Sequence, residues 1–147
     1  STDNDLAITG VQLEVGEYTS STLPPFQFES YGDNLARCQR YFQMIAEGNQ
    51  KIISIAHWGS SSEVDFIMHI PTMRATPSIE YTTGSEYWTI GGSGGSTNTL
   101  DTLLMNSWST DSNIAIYSGT GAGGTAGYAY YGYTSNAAAK LGFTSEL

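Results

Sequence analysis

The sequence predicts an all-β fold, an antiparallel sandwich or barrel with at most one short helix, on three observations. Short β-type runs recur at roughly 8–12-residue spacing with turn residues between them. Charged residues are only 13% of the chain, about half the usual ~25%, and Ser, Thr, Asn, Gly and Tyr fill the difference. Long solvated helices need charged outer faces, which this composition does not supply. At 147 residues the chain has the size of one domain. It is read as a single unit over 1–147, with an N-terminal strand and linker region over 1–30 and a main sandwich over 31–147.

Each element has its own local signal. Leu6–Ala7–Ile8–Thr9 and Val11–Gln12–Leu13–Glu14–Val15 alternate apolar and polar residues and end at Gly16. The polar opening before them reads as the start of a piece cut from a longer chain. A short helix is expected near residues 33–38, with Asp33 as N-cap and Leu35 and Cys38 turned inward. Arg40 to Ile45 and Lys51 to His57 flank Glu47–Gly48–Asn49–Gln50, read as a hairpin turn. Val64 to Ile70 is a strand stopped by Pro71. Ser78 to Thr82 and Tyr87 to Ile90 flank Thr83–Gly84–Ser85, while Ile114 to Tyr117 and Tyr128 to Tyr133 flank a glycine-rich stretch. Gly91 to Ser96 reads as a long mobile loop within the domain. Asn136 to Leu141 fits either a helix or a closing strand of small residues.

The charge balance narrows the partners. There are 14 acids against 5 bases, a formal net charge of −9. Arg37, Arg40, Lys51, Arg74 and Lys140 are too few and too scattered for the basic stripe that nucleic acid requires. No nucleic acid and no membrane insertion are expected, since no run approaches the ~18 apolar residues of a spanning helix. Cys38 is the single cysteine, which rules out an intrachain disulfide and a cysteine-based metal site. Its apolar neighbours suggest a buried core thiol.

Candidate chemistry is sparse, and no catalytic residue, metal site or cofactor is expected. His57 and His69 lie in strand-like runs, without a nucleophile elbow or zinc-ligand spacing nearby. Glu63 and Asp65 would share one face of a strand about 6–7 Å apart, a separation glycosidases use, although any acidic chain produces such pairs by chance. Asp101 and Asp111 show no calcium-loop pattern. Gly119–Thr120–Gly121–Ala122–Gly123–Gly124 fits the dinucleotide fingerprint by letter. An aromatic strand comes after it, however, not the helix whose N-terminus would hold a pyrophosphate.

Aromatic content is the remaining signal, with 10 tyrosines and 3 tryptophans. Tyr and Trp give large, rigid contact area at low entropic cost. The candidate ligand-facing residues are Trp58, Trp88, Trp108, Tyr128, Tyr130, Tyr131 and Tyr133. Alternation puts Tyr128 and Tyr130 on one face of a strand and Tyr131 and Tyr133 on the other. Both faces can be core only if one is a subunit interface; a core strand with ordinary surface tyrosines is the competing reading.

Several segments together resemble one family pattern. Gly10–Val11–Gln12–Leu13–Glu14–Val15–Gly16 resembles a GVQLE-x-G strand, and Phe26 to Tyr31 resembles a PFE-x-RSY run. Leu35 to Phe42 is similar to EL-x-x-CQRYY, Ile70 to Pro77 to P-x-x-MRA-x-P, and Ser145–Glu146–Leu147 to a DAEL terminus. In this order they resemble the C-terminal receptor-binding tip of bacteriophage tail fibres and tailspikes, over about Ile8 to Leu147. The departures are an inserted Gln27, Gly32–Asp33–Asn34 at the helix start, and Thr144–Ser145 near the end. Between Ile79 and Leu141 nothing specific matches.

The resemblance implies a β-sandwich of jelly-roll type, homotrimeric, at the distal end of a virion's tail fibre. The function it implies is non-catalytic recognition of a host cell-surface receptor, a glycan or an outer-membrane protein. The alternatives are a structural trimerisation cap or a glycan depolymerase. Cys38, Tyr41 and Phe42 are expected to anchor a helix-to-strand turn in the core, with Arg40 meeting an acid or a carbonyl and Met73–Arg74 pinned by packing. Independently, the two-sided aromatic strand and the apolar residues Leu141, Phe143 and Leu147 suggest an exposed apolar patch suited to self-association.

Overall fold

The computed structural model describes residue 13 and residues 15–19, 21–26, 28–91, 97–118 and 123–145. One helix, α1 (Tyr31–Gln39), precedes ten strands: β1 (Phe42–Glu47), β2 (Ile52–Trp58), β3 (Val64–His69), β4 (Ser78–Tyr81), β5 (Trp88–Gly91), β6 (Thr97–Leu100), β7 (Leu104–Met105), β8 (Asn113–Ser118), β9 (Ala129–Thr134) and β10 (Lys140–Thr144). They form a three-stranded sheet, β1-β10-β4, and a seven-stranded sheet, β6-β5-β9-β2-β3-β8-β7. Every pairing is antiparallel, and the arrangement is sandwich-like.

The core follows from period-two alternation on each strand. β3 turns Val64 and Phe66 inward, β8 turns Ile114 and Ile116, β5 turns Trp88 and Ile90, and β10 turns Leu141 and Phe143; all are buried in one cluster with Trp58, Leu100 and Leu103. On β9 the inward side carries Tyr130, Gly132 and Thr134. A Cβ on Gly132 would stand 2.1 Å from Cε1 of Phe66, so the bare backbone there is what lets the phenyl ring close the layer. The inward Leu141 and Phe143 remove the basis for an apolar patch at the chain's end, and Leu147 lies outside the described residues.

Residues 47–50 do not make a hairpin. β1 pairs with β10 in one sheet, whereas β2 pairs with β3 and β9 in the other. The turn's donors are taken elsewhere: the Gly48 N–H donates to the Ala139 carbonyl at 2.9 Å and the Gln50 N–H to Thr134 at 2.8 Å. Gly48 (φ 90°) and Gln50 (φ 56°) bend the chain across the sandwich rather than back along itself. Residues 136–139 form a turn and the following segment is strand β10, which decides between the two readings of Asn136 to Leu141.

The N-cap of α1 lies three residues before the expected one. Ser30 caps it: its hydroxyl accepts from the Asp33 N–H at 3.1 Å and donates to the Asp33 carboxylate at 2.6 Å, a reciprocal cap at an N-terminus. No residue of α1 is buried. Leu35 and Cys38 are therefore exposed rather than turned into the core. Residues 1–12 and 14, most of the expected N-terminal strands, lie outside the described residues, and Leu13 and Val15 belong to no strand.

The helix-to-strand turn is held by backbone and amide groups rather than by buried rings. Tyr41 and Phe42 stay partly exposed. Buried Gln43 donates to the carbonyls of Gln39 at 3.0 Å and Pro71 at 2.7 Å. Arg40 serves through its carbonyl, which accepts from the Arg74 N–H at 2.9 Å and the Ser145 hydroxyl at 2.8 Å. The Arg74 guanidinium lies 5.3 Å from the Tyr41 ring centre, and Met73 is buried. Segments around 40, 72 and 145 meet at this corner.

Candidate functional site

The seven candidate ligand residues separate sharply. Trp58 and Trp88 are fully buried and leave the candidate set. Trp58 is covered by the glycine-rich loop: a Cβ on Gly124 would fall 2.2 Å from the indole, and the Gly127 N–H donates to the Trp58 carbonyl at 2.8 Å. Trp88 packs edge-on against Tyr81 at 6.2 Å and donates its Nε1–H to the Thr82 carbonyl at 3.0 Å. Tyr130 points inward and packs against the core.

Tyr131 and Tyr133 point the other way, onto the outer face of the seven-stranded sheet, with ring centres 5.6 Å apart. Gly91 is the register partner of Tyr131, and the two rings lean over its bare backbone. Tyr128 is exposed immediately before β9.

Trp108 lies apart from these, in the loop joining the edge strand β7 to its neighbour β8, and is 82% exposed. The loop that carries it is firmly braced. Buried Ser109 donates to the Ala115 carbonyl at 2.9 Å and accepts from the Ala115 N–H at 3.1 Å. The Asn106 side chain accepts from the Trp108 N–H at 3.2 Å. Thr110 accepts through its hydroxyl from the Asn113 N–H at 3.1 Å. From outside the loop, the Met73 and Ile70 N–H groups donate to the carbonyls of Asp111 and Ser112 at 2.8 and 2.9 Å. The indole thus projects from a pinned backbone.

Its chain neighbour Ser107 lines, with Glu63, Asn106 and Tyr117, a polar cleft of about 380 Å³. The cleft offers a carboxylate, an amide, a hydroxyl and a phenol as donors and acceptors, and the projecting indole one residue along the chain from Ser107 adds a flat apolar surface. Sequence reasoning singled out Trp108 but missed Asn106, Ser107 and Tyr117, whose common character appears only when β7 pairs with β8.

The remaining polar candidates lie on the outer sheet face. His57 and Asp65 are register partners, with Nε2 to Oδ2 at 3.7 Å. His69 Nδ1 is 3.1 Å from Asn113 Oδ1. Glu63 belongs to the cleft while Asp65 faces His57, so the two carboxylates have different surroundings. Among the described residues no three His, Cys, Asp or Glu side chains gather as a metal site, and no helix is long and apolar enough to cross a membrane. No protein-family model, curated protein or solved structure matches the chain.

Proposed function

We propose that the chain is a non-catalytic recognition domain of the tail-fibre-tip kind, a jelly-roll sandwich that acts as a homotrimer and binds a host cell-surface glycan through Trp108 and its cleft. The observation that carries the reading is the combination of a rigid loop with an open indole. Leaving an indole in water forgoes burial on the order of 4 kcal/mol by area. A loop braced this thoroughly has no need to hold that ring outward for folding. A sugar ring stacked on the indole would recover the area, while Glu63, Asn106, Ser107 and Tyr117 satisfy its hydroxyls. Such preorganisation lowers the entropic cost of binding.

The test is binding of the labelled domain to a glycan array and a panel of bacterial cells, alongside Trp108→Ala and Asn106→Ala. Saturable binding that Trp108→Ala abolishes and Asn106→Ala weakens about tenfold or more supports the reading. Adsorption to cells that survives removal of surface glycan points instead to an outer-membrane protein. Shortening of the polysaccharide during incubation would make the domain a depolymerase, and retained glycan binding by Trp108→Ala would place the site elsewhere.

A further inference from the structure

The outer face of the seven-stranded sheet is apolar where a solvated sheet face would be polar. Reading outward positions by alternation, β2 presents Ile52, Ile55 and His57, and β3 presents Asp65, Ile67 and His69. β8 adds Asn113, Ala115 and Tyr117, and β9 adds Ala129, Tyr131 and Tyr133. Ile52, Ile55 and Ile67 are 69%, 74% and 66% exposed and Tyr131 is 47% exposed. The register fixes their neighbourhood: Ile55 faces Tyr131 and Ile52 faces Tyr133, while Ala129, His57, Asp65, Tyr117 and Leu104 line up across five strands.

We infer that this face is where copies of the chain meet, with Ile55 and Ile67 at the centre of the contact. The inference rests on the homotrimer proposed for the chain; the face shares Tyr117 with the cleft near Trp108, while its centre, Ile55 and Ile67, lines no part of that cleft. Charge selects the occupant. The chain carries a formal charge of −9, so its copies repel over most of their surface. On the twelve outward positions named for β2, β3, β8 and β9, Asp65 is the one carboxylate, and it faces His57. The outer face of the three-stranded sheet differs: Glu47, Glu80 and Lys140 stand there.

Size agrees. Strands about 4.8 Å apart, two to seven residues long at ~3.3 Å per residue, give a seven-stranded face of roughly 550 Å² in projection. With side-chain relief that approaches the ~800 Å² per partner of a standard interface. Its layout also matches, with an isoleucine and tyrosine centre and a rim of Thr97, Thr99, His69 and Asn113. Trp108 sits beyond the centre, in the loop between the edge strand β7 and its neighbour β8.

The experiment is mass in solution, by light scattering and sedimentation, for the 147-residue chain and four variants. The wild type is expected to be an oligomer at micromolar concentration. Ile55→Lys with Ile67→Lys should be monomeric with an unchanged circular dichroism spectrum, because neither side chain packs in the single chain. Ile55→Thr with Ile67→Thr keeps β-branched residues in the strands should the lysines disturb folding, and should weaken assembly about a hundredfold. Met44→Lys, on the other sheet, should leave the mass unchanged. A monomeric wild type, or a folded Thr or Lys double variant that assembles normally, overturns the inference. Trp108→Ala should lose glycan and keep its mass, whereas the Ile55/Ile67 variants should lose mass and keep single-site glycan binding. Failure of one reading is therefore visible apart from failure of the other.

Discussion

The side-chain amide of Gln43 donates a 2.7 Å hydrogen bond to the carbonyl of Pro71, joining the first residues of β1 to the segment that leaves β3. The same amide reaches Gln39 at the end of α1. One buried polar side chain thus ties helix, strand and crossing segment together. Gln43→Ala leaves two carbonyls without this donor and a gap beside them. It is expected to lower stability by about 1–3 kcal/mol, read as a lower urea midpoint at unchanged slope.

Gly132 and Phe66 pack so closely on the inward side of the sheet that no side chain fits at position 132 without a shift. Gly132→Ala is expected to cost about 2 kcal/mol or more through overpacking, since the new methyl meets the phenyl ring. Combining it with Phe66→Leu should lose less than the two single changes added together. A double-mutant cycle by denaturant unfolding measures the coupling, expected at about 1 kcal/mol or more.

The three tryptophans occupy two different environments. Acrylamide should quench one component of the native fluorescence, and Trp108→Phe should remove it while stability changes by no more than about 0.5 kcal/mol. Trp58→Phe and Trp88→Phe should leave the quenchable component in place and destabilise the fold.

Ser109 tests whether the brace behind Trp108 matters to recognition. Ser109→Ala removes both bonds to Ala115 and is expected to cost about 1–2 kcal/mol of stability. Glycan binding should fall with it although Ser109 lines no part of the cleft, because the freed loop must be ordered on binding. Calorimetry should show the loss chiefly as a more unfavourable entropy.

Cys38 carries the simplest check on the helix. The thiol is exposed on α1, 3.5 Å from the Asn34 side-chain oxygen. It should react stoichiometrically with a thiol reagent in the native state, at a rate that denaturant raises little. A buried thiol would require unfolding first.

The strands were legible because alternation is a local property. Val64 to Ile70, Lys51 to His57 and Tyr128 to Tyr133 each match their strand to within one residue at either end, and Tyr131 and Tyr133 do share the face opposite Tyr130. The helix was placed but not its cap, since Ser30 and Asp33 are both good capping residues and only the reciprocal bond between them shows which begins the helix. Of the site, Trp108 was named from residue type alone. Trp58 and Trp88 were named on the same ground and are core. An indole's chemistry is identical in both places, and only its surroundings differ.

By itself, then, the sequence determined the β class, the approximate strands, the excess of negative charge and the two-sided aromatic strand, all of which depend on residues within a few positions of one another. The tertiary structure decided which strands pair, why residues 47–50 cross between sheets, why Cys38 is open and Trp58 closed, and which polar groups gather beside Trp108. Those outcomes depend on contacts such as Gln50 with Thr134 and Arg40 with Ser145. Chain segments so far apart meet only once the whole hydrophobic core has chosen its layers, so no local pattern carries that information.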